Sequence, residues 1–246
     1  MSKILRLALA FSIFPQILLL RLLAQQPEIV ETYYSNGLYP LISKLSRCVF
    51  GWLPFSFGDL LYGVGALYVF VWIYKQSKKG FKRSKIKDYG LDVFMAISVV
   101  YFMFHLLWGL NYYRMPLNKQ LNLTAEYSNE MLIKTTEKLI IRSNRIHLQI
   151  GKEQSKQIKV PYDTKEMRLK AIEGYDKLSI SMPFLSYQPQ SQKLSLFSTP
   201  LAYMGFSGYI NPFTNEAHVN WHTPKNSMPL TWMHEQAHQL GYAAEK

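Results

Sequence analysis

Long apolar runs dominate the first 110 residues of this chain, and the remainder has the mixed polarity of a water-exposed domain. Three of these runs cover about residues 4–24, 55–74 and 89–110. A bilayer core is crossed by about 20 apolar residues in a helix. We therefore predict a membrane region, 1–110, with three transmembrane helices in contact with the lipid bilayer.

The first run has two interpretations, a cleaved signal peptide or a retained anchor, and the basic residues Lys3 and Arg6 suit both. A signal peptide should end in a small-x-small cleavage pattern, which Leu22-Leu23-Ala24 lacks. We favour the retained anchor.

A basic segment, 75–88, separates the second and third runs. Its seven cations are Lys75, Lys78, Lys79, Lys82, Arg83, Lys85 and Lys87. Since the segment is short, lacks interleaved aromatic residues and joins two membrane-length runs, we expect a cytoplasmic loop and no nucleic-acid partner. The N-terminus then lies in the cytoplasm, and residues 25–54 and 111–246 lie outside.

Polar residues near the ends of the runs fit this arrangement. Asp59 falls near the outer end of the second run, where a charge is tolerated. His105 falls near the outer end of the third, and we expect it beside an aromatic belt of Trp108, Tyr112 and Tyr113.

Residues 111–246 have the pattern of an α+β domain. One helix is predicted from about Ser128 to Gly151, with apolar positions Leu132, Leu139, Ile140 and Ile146. A second is predicted over 164–178, capped by Asp163 or Thr164, with Met167, Ala171, Tyr175 and Leu178 buried. Strand-prone pieces follow at 194–198 and 217–221. Residues 216–220 are either an edge strand that a substrate could extend or part of an ordinary hairpin.

The sequence His234-Glu235-Gln236-Ala237-His238 is an HExxH motif. On a helix, His234 and His238 share a face and can bind one Zn²⁺, and Glu235 can act as the general base. We predict that this helix begins near Ser227, has Pro229 in its first turn, and buries a stripe of Leu230, Met233, Ala237 and Leu240. The flanking residues are too polar for a membrane span, so the motif belongs to the water-accessible domain.

Several longer motifs resemble a bacterial membrane family catalogued as domain of unknown function 3810. They are Pro54-Phe-Ser-Phe-Gly-Asp-Leu-Leu, Trp108-Gly-Leu-Asn-Tyr-Tyr-Arg, Glu216-Ala-His-Val-Asn and His234-Glu-Gln-Ala-His-Gln-Leu-Gly-Tyr-Ala-Ala-Glu. The resemblance implies three spans followed by an extracytoplasmic zincin-like domain. The family pattern continues beyond the point where this chain ends, so we expect a domain truncated at its C-terminus. The third metal ligand is then either Glu245 or a residue beyond the chain.

The motif favours a membrane-anchored zinc metallopeptidase that cleaves an extracytoplasmic polypeptide. Tyr203, Tyr209, His218, His222 and Tyr242 are eligible by residue type to stabilise the oxyanion. The alternative is a non-catalytic membrane protein that uses a degenerate or truncated zincin domain for binding or assembly. A transporter is disfavoured because the three runs offer few polar residues for a substrate path. The sequence does not indicate an oligomeric state.

Overall fold

The computed structural model describes residues 2–78, 80, 85–124, 126–151 and 158–245. Lys79, Lys82 and Arg83 of the predicted basic loop lie outside the described residues. The helices are α1 (Lys3–Phe11), α2 (Ile13–Ala24), α3 (Pro27–Ile29), α4 (Tyr39–Phe50), α5 (Phe57–Lys78), α6 (Ile86–Leu107), α7 (Leu117–Gln120), α8 (Asn129–Gly151), α9 (Thr164–Ser181), α10 (Ser198–Tyr203) and α11 (Met228–Gln239). The strands are β1 (Gln192–Leu194), β2 (Gly208–Asn211) and β3 (Glu216–Val219).

Three helical segments are long and apolar enough to cross a membrane: Lys3–Ala24, Phe57–Lys78 and Ile86–Leu107. This agrees with the three predicted spans, whose bounds shift by a few residues. The third segment ends at Leu107 rather than at residue 110, because the chain tightens into a 3₁₀ turn over Gly109–Tyr113. The first segment is interrupted at Ser12, between α1 and α2.

The first and third segments run in the same direction. Arg6 forms an ion pair with Asp92, and the Ser12 hydroxyl lies 2.9 Å from that of Ser98, so both contacts join residues 86 apart in sequence. A constant sequence separation along two packed helices means that they are parallel. The first and third spans must also be parallel in any chain that crosses a membrane three times in succession.

Residues 27–56 connect the first two segments and pack against the C-terminal part of the chain. Val30–Leu38 is wound as a π-helix and leads directly into α4. Val30, Tyr34 and Tyr39 form one core cluster with Trp108 and Ala243. Elements far apart in sequence therefore share a single core at the ends of the spans.

The sheet has the strand order β1-β3-β2, with β1 parallel and β2 antiparallel to β3. Of the two alternatives for residues 216–220, the edge strand is excluded, because β3 is central and all four of its residues are buried. The alternative, a hairpin within a mixed domain, is what β2 and β3 form. The predicted strand at 194–198 is displaced to Gln192–Leu194, since Ser198 already begins α10.

Two helices of the domain follow the predicted pattern closely. The Ser128 hydroxyl caps α8 by accepting from the Met131 amide at 3.3 Å. Asp163 and Glu166 form a reciprocal capping box at the start of α9. The buried residues of α9 are Met167, Ala171, Ile172 and Tyr175, with Leu178 half-buried. The apolar positions named for α8, in contrast, are all exposed.

The helix carrying the HExxH motif begins after Ser227 with Pro229 in its first turn, as predicted. The predicted buried stripe was wrong at Leu230, which is 72% exposed, whereas Met233, Ala237 and Leu240 are half-buried. The helix instead buries Trp232, Gln236 and Gln239. The Gln239 amide donates to the Ser191 carbonyl at 2.8 Å, which satisfies one of these buried polar side chains, whereas neither amide atom of Gln236 has a partner among the described residues.

The second span is joined to the sheet through its N-terminus. The Phe57 and Gly58 amides donate to the Glu216 carboxylate at 3.2 and 2.6 Å, where a negative charge stabilises the free N–H groups of a helix. Gly58 is required there, because a Cβ would lie 2.3 Å from Asn211 Nδ2.

Asp59, in the first turn of α5 as predicted, is buried against the sheet. Its carboxylate accepts from Ser195 Oγ at 3.1 Å, from the Leu196 amide at 2.7 Å and from the Tyr209 hydroxyl. Ser56 Oγ lies 2.6 Å from His218 Nε2. This network fixes the end of the second span relative to β2 and β3.

Candidate metal centre

His234, His238 and Glu245 place three possible ligand atoms around one point. The two histidine Nε2 atoms are 3.0 Å apart, and each lies 3.2 Å from a Glu245 carboxylate oxygen. The pair of histidines comes from successive turns of α11, and Glu245 returns from the segment after Gly241. The structure thus brings together all three residues that the sequence named as metal ligands.

These distances suit a tetrahedral zinc site. Ligand atoms about 2.0–2.1 Å from a tetrahedral Zn²⁺ lie about 3.3 Å from one another. The two-histidine, one-carboxylate set is also a common composition of catalytic zinc sites. The His234 and Glu245 side chains are 46% and 69% exposed, so this side of the group is open for water or substrate.

His238 is oriented by its second ring nitrogen. Nδ1 lies 2.7 Å from the Tyr242 carbonyl oxygen, which can only accept, so Nδ1 carries the proton and Nε2 presents a lone pair. Burial is the main influence on this ring and lowers the pKa of His238, which favours the neutral form that binds metals.

Glu235 lies beside the ligands in a buried position. Its side chain is on the inner side of α11, the residue is 4% exposed, and Oε2 has no hydrogen-bond partner in the described chain. Burial, followed by the negative charge of Glu245, raises the pKa of Glu235 to about 8. It packs against β2, where a Cβ on Gly208 would come within 2.7 Å of Glu235 Oε1.

Side chains from the membrane region satisfy the last carbonyls of α11. The Trp108 indole nitrogen donates to the His238 carbonyl at 3.0 Å. The Tyr39 hydroxyl and the Ser43 hydroxyl each donate to the Gln239 carbonyl at 2.9 Å. The His238 carbonyl also accepts from the Gly241 amide at 3.0 Å, so the three side-chain donors reinforce the turn that ends the helix and hold it in place. Trp108 is 4% exposed, and its predicted place in an aromatic belt was therefore wrong.

Arg114 holds the segment that follows the helix. Its guanidinium forms a bidentate ion pair with Glu31, at 2.9 and 2.6 Å, and donates to the Gly241 carbonyl at 2.9 Å. It also lies over the Tyr242 ring, 4.3 Å from the ring centre. Gly241 has a φ of +91°, and a Cβ there would lie 2.9 Å from the Tyr39 ring. The turn that brings Glu245 back to the histidines depends on the Arg114 contacts and on the glycine at position 241.

The oxyanion candidates chosen by residue type are mostly committed elsewhere. Tyr209 and His218 stack on each other in the Asp59 network, where burial raises the pKa of Tyr209 and lowers that of His218 to about 4. His222 contacts Thr199 at 3.2 Å, and Tyr203 is 89% exposed. Tyr242 contributes its carbonyl to His238 and packs its ring under Arg114.

Tyr112 is a site residue that the sequence argument missed. Burial is the main cause of its raised pKa, and the charge of Glu245 is the second, so the two groups are close. The Tyr112 ring also packs edge-on against Trp108 at 5.1 Å.

The family assignment follows from a comparison with known protein families. The sequence model of one family, described as protein of unknown function (DUF3810), matches residues 34–246. The chain belongs to the DUF3810 family. No curated protein and no solved structure matches it.

Two of the quoted motifs of the DUF3810 chain acquire roles from the geometry. Pro54-Phe-Ser-Phe-Gly-Asp docks the second span on β3 through Glu216, and Trp108 to Arg114 caps and anchors the end of α11. The sequence signalled that these motifs matter but not what they contact. Tyr39 and Ser43 carried no signal, because their partner Gln239 is about 200 residues away.

Proposed function

We propose that this DUF3810 protein is a membrane-anchored zinc metallopeptidase. The observation that carries the proposal is the group of ligand atoms, with the buried carboxylate of Glu235 next to it. The two histidine Nε2 atoms are 3.0 Å apart, and each lies 3.2 Å from a different carboxylate oxygen of Glu245. His234, His238 and Glu245 would hold the ion. Zinc, when bound, supplies Lewis-acid polarisation of the scissile carbonyl and acidifies a water molecule.

Glu235 handles the proton in this scheme. Its carboxylate removes a proton from water as the water oxygen bonds to the peptide carbonyl carbon. It then delivers that proton to the amide nitrogen as the C–N bond breaks, so a carboxylic acid and an amine leave. Tyr112, whose pKa the charge of Glu245 helps to raise, is our candidate to donate a hydrogen bond to the carbonyl oxygen as negative charge develops on it.

The free edge of β2 offers a substrate-binding element. In the described part of the chain, β2 pairs on one side only, with β3. Gly208 of β2 lies directly against Glu235, so a peptide added to this edge passes the general base. Main-chain hydrogen bonds of this kind bind extended peptides with little dependence on sequence.

We further propose that the centre lies on the extracytoplasmic side, close to the bilayer. Trp108, which contacts the HExxH helix, directly follows the last residue of the third candidate span. By the positive-inside rule, the cations of the 75–88 segment favour a cytoplasmic location for the opposite ends of the spans. A polypeptide near the outer membrane surface is then the substrate.

The test uses the full chain reconstituted in lipid vesicles, with a randomised set of internally quenched fluorogenic peptides as the probe. We expect about one zinc per chain by elemental analysis, lost in His234→Ala and His238→Ala. Glu235→Gln should keep the metal and lose at least about 100-fold in turnover, since general base catalysis contributes that much. Glu137→Gln, on the exposed surface of α8, is the matched control.

Two results would contradict the peptidase. Undiminished turnover by Glu235→Gln would show that the base lies elsewhere. Stoichiometric zinc with no turnover of any peptide would instead support the alternative, a membrane protein that uses the metal domain for binding or assembly.

A further inference from the structure

Two adjoining cavities lie on the far side of α11 from the metal centre. Their volumes are about 420 and 700 Å³, and Gly51, Trp52, Arg168 and Gln192 line both. Trp232 lines the larger one. At about 100° per residue, Trp232 lies roughly 200° around the helix from His234, so this space does not communicate with the ligand face.

Buried polar groups around these cavities lack partners. Arg47 is 4% exposed, and its Nη1 has no hydrogen-bond partner in the described chain. Gln192 is 3% exposed, and neither atom of its amide is bonded. Arg168 Nε is also unpartnered. Buried donors of this kind cost free energy unless something satisfies them, and a guanidinium is the most demanding of them.

The charge around the cavities is uniformly positive. Arg47, Lys165, Arg168 and Lys193 line them, and no described lining residue is acidic. None of the ion pairs among the described residues involves Arg47 or Arg168. Burial lowers the pKa of Lys193, and the charge of Arg168 lowers it further against the opposing effect of Glu216. The lining cations therefore repel one another. The Glu216 charge offsets part of that repulsion at Lys193, whereas Arg47 and Arg168 have no acidic ion-pair partner among the described residues.

The position of the cavities relative to the membrane indicates the source of such an anion. Gly51 and Trp52 lie between the end of α4 and the start of the second candidate span at Phe57. The Trp52 side chain is 76% exposed at this point. The cavity is therefore lined by residues only a few positions from the end of a candidate span, which makes a lipid phosphate one source of the anion.

We propose that this cavity is a binding site for a phosphate group, held by Arg47 and Arg168 with the Gln192 amide as a further donor. Guanidinium groups form the strongest charge-assisted contacts with phosphate, and their planar donors can bind two of its oxygens at once. The phosphate belongs either to an anionic phospholipid headgroup or to a free phosphate in solution.

The test measures the unfolding midpoint of the full chain in an uncharged detergent at constant ionic strength. The probes are inorganic phosphate and a short-chain phosphatidylglycerol. The variants are Arg168→Gln, at a partly exposed position, and Arg47→Lys, which keeps the charge but removes the fork of donors. Lys177→Gln, exposed on the same helix α9, is the control with an equal loss of charge.

We expect stabilisation of the wild-type protein and of Lys177→Gln, with the apparent affinity at least about tenfold weaker in Arg168→Gln and Arg47→Lys. Tighter binding of phosphatidylglycerol than of inorganic phosphate identifies a lipid headgroup, and the reverse order identifies a free phosphate. An equal response of all four proteins, or no response to either probe, overturns the proposal.

Discussion

Arg114 offers the sharpest test of how the candidate metal centre is held together. It pairs with Glu31, and the side chains of the two residues are 7% and 11% exposed. Replacing Arg114 with Met leaves the Glu31 carboxylate buried without its cation. Breaking a buried pair in this way costs about 3–5 kcal/mol.

The structure narrows this range. Gln120 and Asn36 still donate to Glu31 in the variant, at 2.8 and 3.0 Å, which favours the lower end. The Gly241 carbonyl loses its donor as well, and a lost hydrogen bond of this kind costs about 1 kcal/mol. We therefore expect Arg114→Met to lower the free energy of unfolding by about 4 kcal/mol.

A second readout separates positioning from stability. The double variant Glu31→Gln/Arg114→Met removes the stranded charge and should recover about half of the loss. Zinc affinity, measured by chelator competition, should stay about 10–100-fold weaker in both variants, because neither anchors Gly241 and the turn to Glu245. Arg145→Met, at an exposed position of α8, is the control.

Two outcomes would refute this reasoning. The first is an unfolding free energy for Arg114→Met within about 0.5 kcal/mol of the wild-type value, as expected of a surface change. The second is a double variant that regains zinc affinity together with stability, since Arg114 would then act on the fold alone.

Three further predictions concern the strand, a buried histidine and the substrate. Gly208→Ala should reduce turnover at least about tenfold with zinc content intact, because the new Cβ would lie 2.7 Å from Glu235 Oε1 and from the His218 carbonyl oxygen. The control Gly63→Ala, where a Cβ would meet no atom within 4 Å, should be neutral, and equal activities of the two variants would contradict the prediction. His218 is neutral in the fold, with a pKa of about 4 against 6.5 unfolded, so acidification makes the unfolded state bind more protons. The free energy of unfolding, measured by urea titration, should fall by about 2 kcal/mol from pH 7 to pH 5. In His218→Gln this contribution to the pH dependence should be lost. Trp108 ties the metal centre to the end of a candidate span, so membrane-anchored reporter peptides should be cleaved best within about five residues of their own span, where an extended chain covers about 3.3 Å per residue. Cleavage that does not depend on this distance would contradict a centre close to the bilayer.

Local patterns account for the parts of the structure that the sequence predicted well. The three apolar runs became the three membrane-length helices, and Asp163 and Ser227 mark the starts of α9 and α11. The spacing of His234 and His238 also required only a regular helix. In each case the deciding interactions lie within a few residues of one another, so a reading of neighbouring positions finds them.

The misses all depend on partners distant in sequence. Trp108 and Asp59 have the character of membrane-end residues, yet they are buried by contacts to residues 130 and about 140 positions away. The central place of β3 depends on β1, a strand of three residues with no clear pattern of its own. Leu230 was expected in the core because it is apolar, but it is exposed. Gln239 is buried instead, and its amide donates a hydrogen bond to the Ser191 carbonyl.

The donors that cap α11 have a consequence for the order of events during biosynthesis. Tyr39, Ser43 and Trp108, which cap the helix, and Arg114, which holds the turn after it, all precede the HExxH helix in the chain. A ribosome therefore completes the residues that receive this helix before it makes the helix itself. These residues follow the first or the third candidate span, so we expect them to be positioned only after membrane insertion. The enzyme we propose would then bind its metal, and become able to cleave other proteins, only at the membrane.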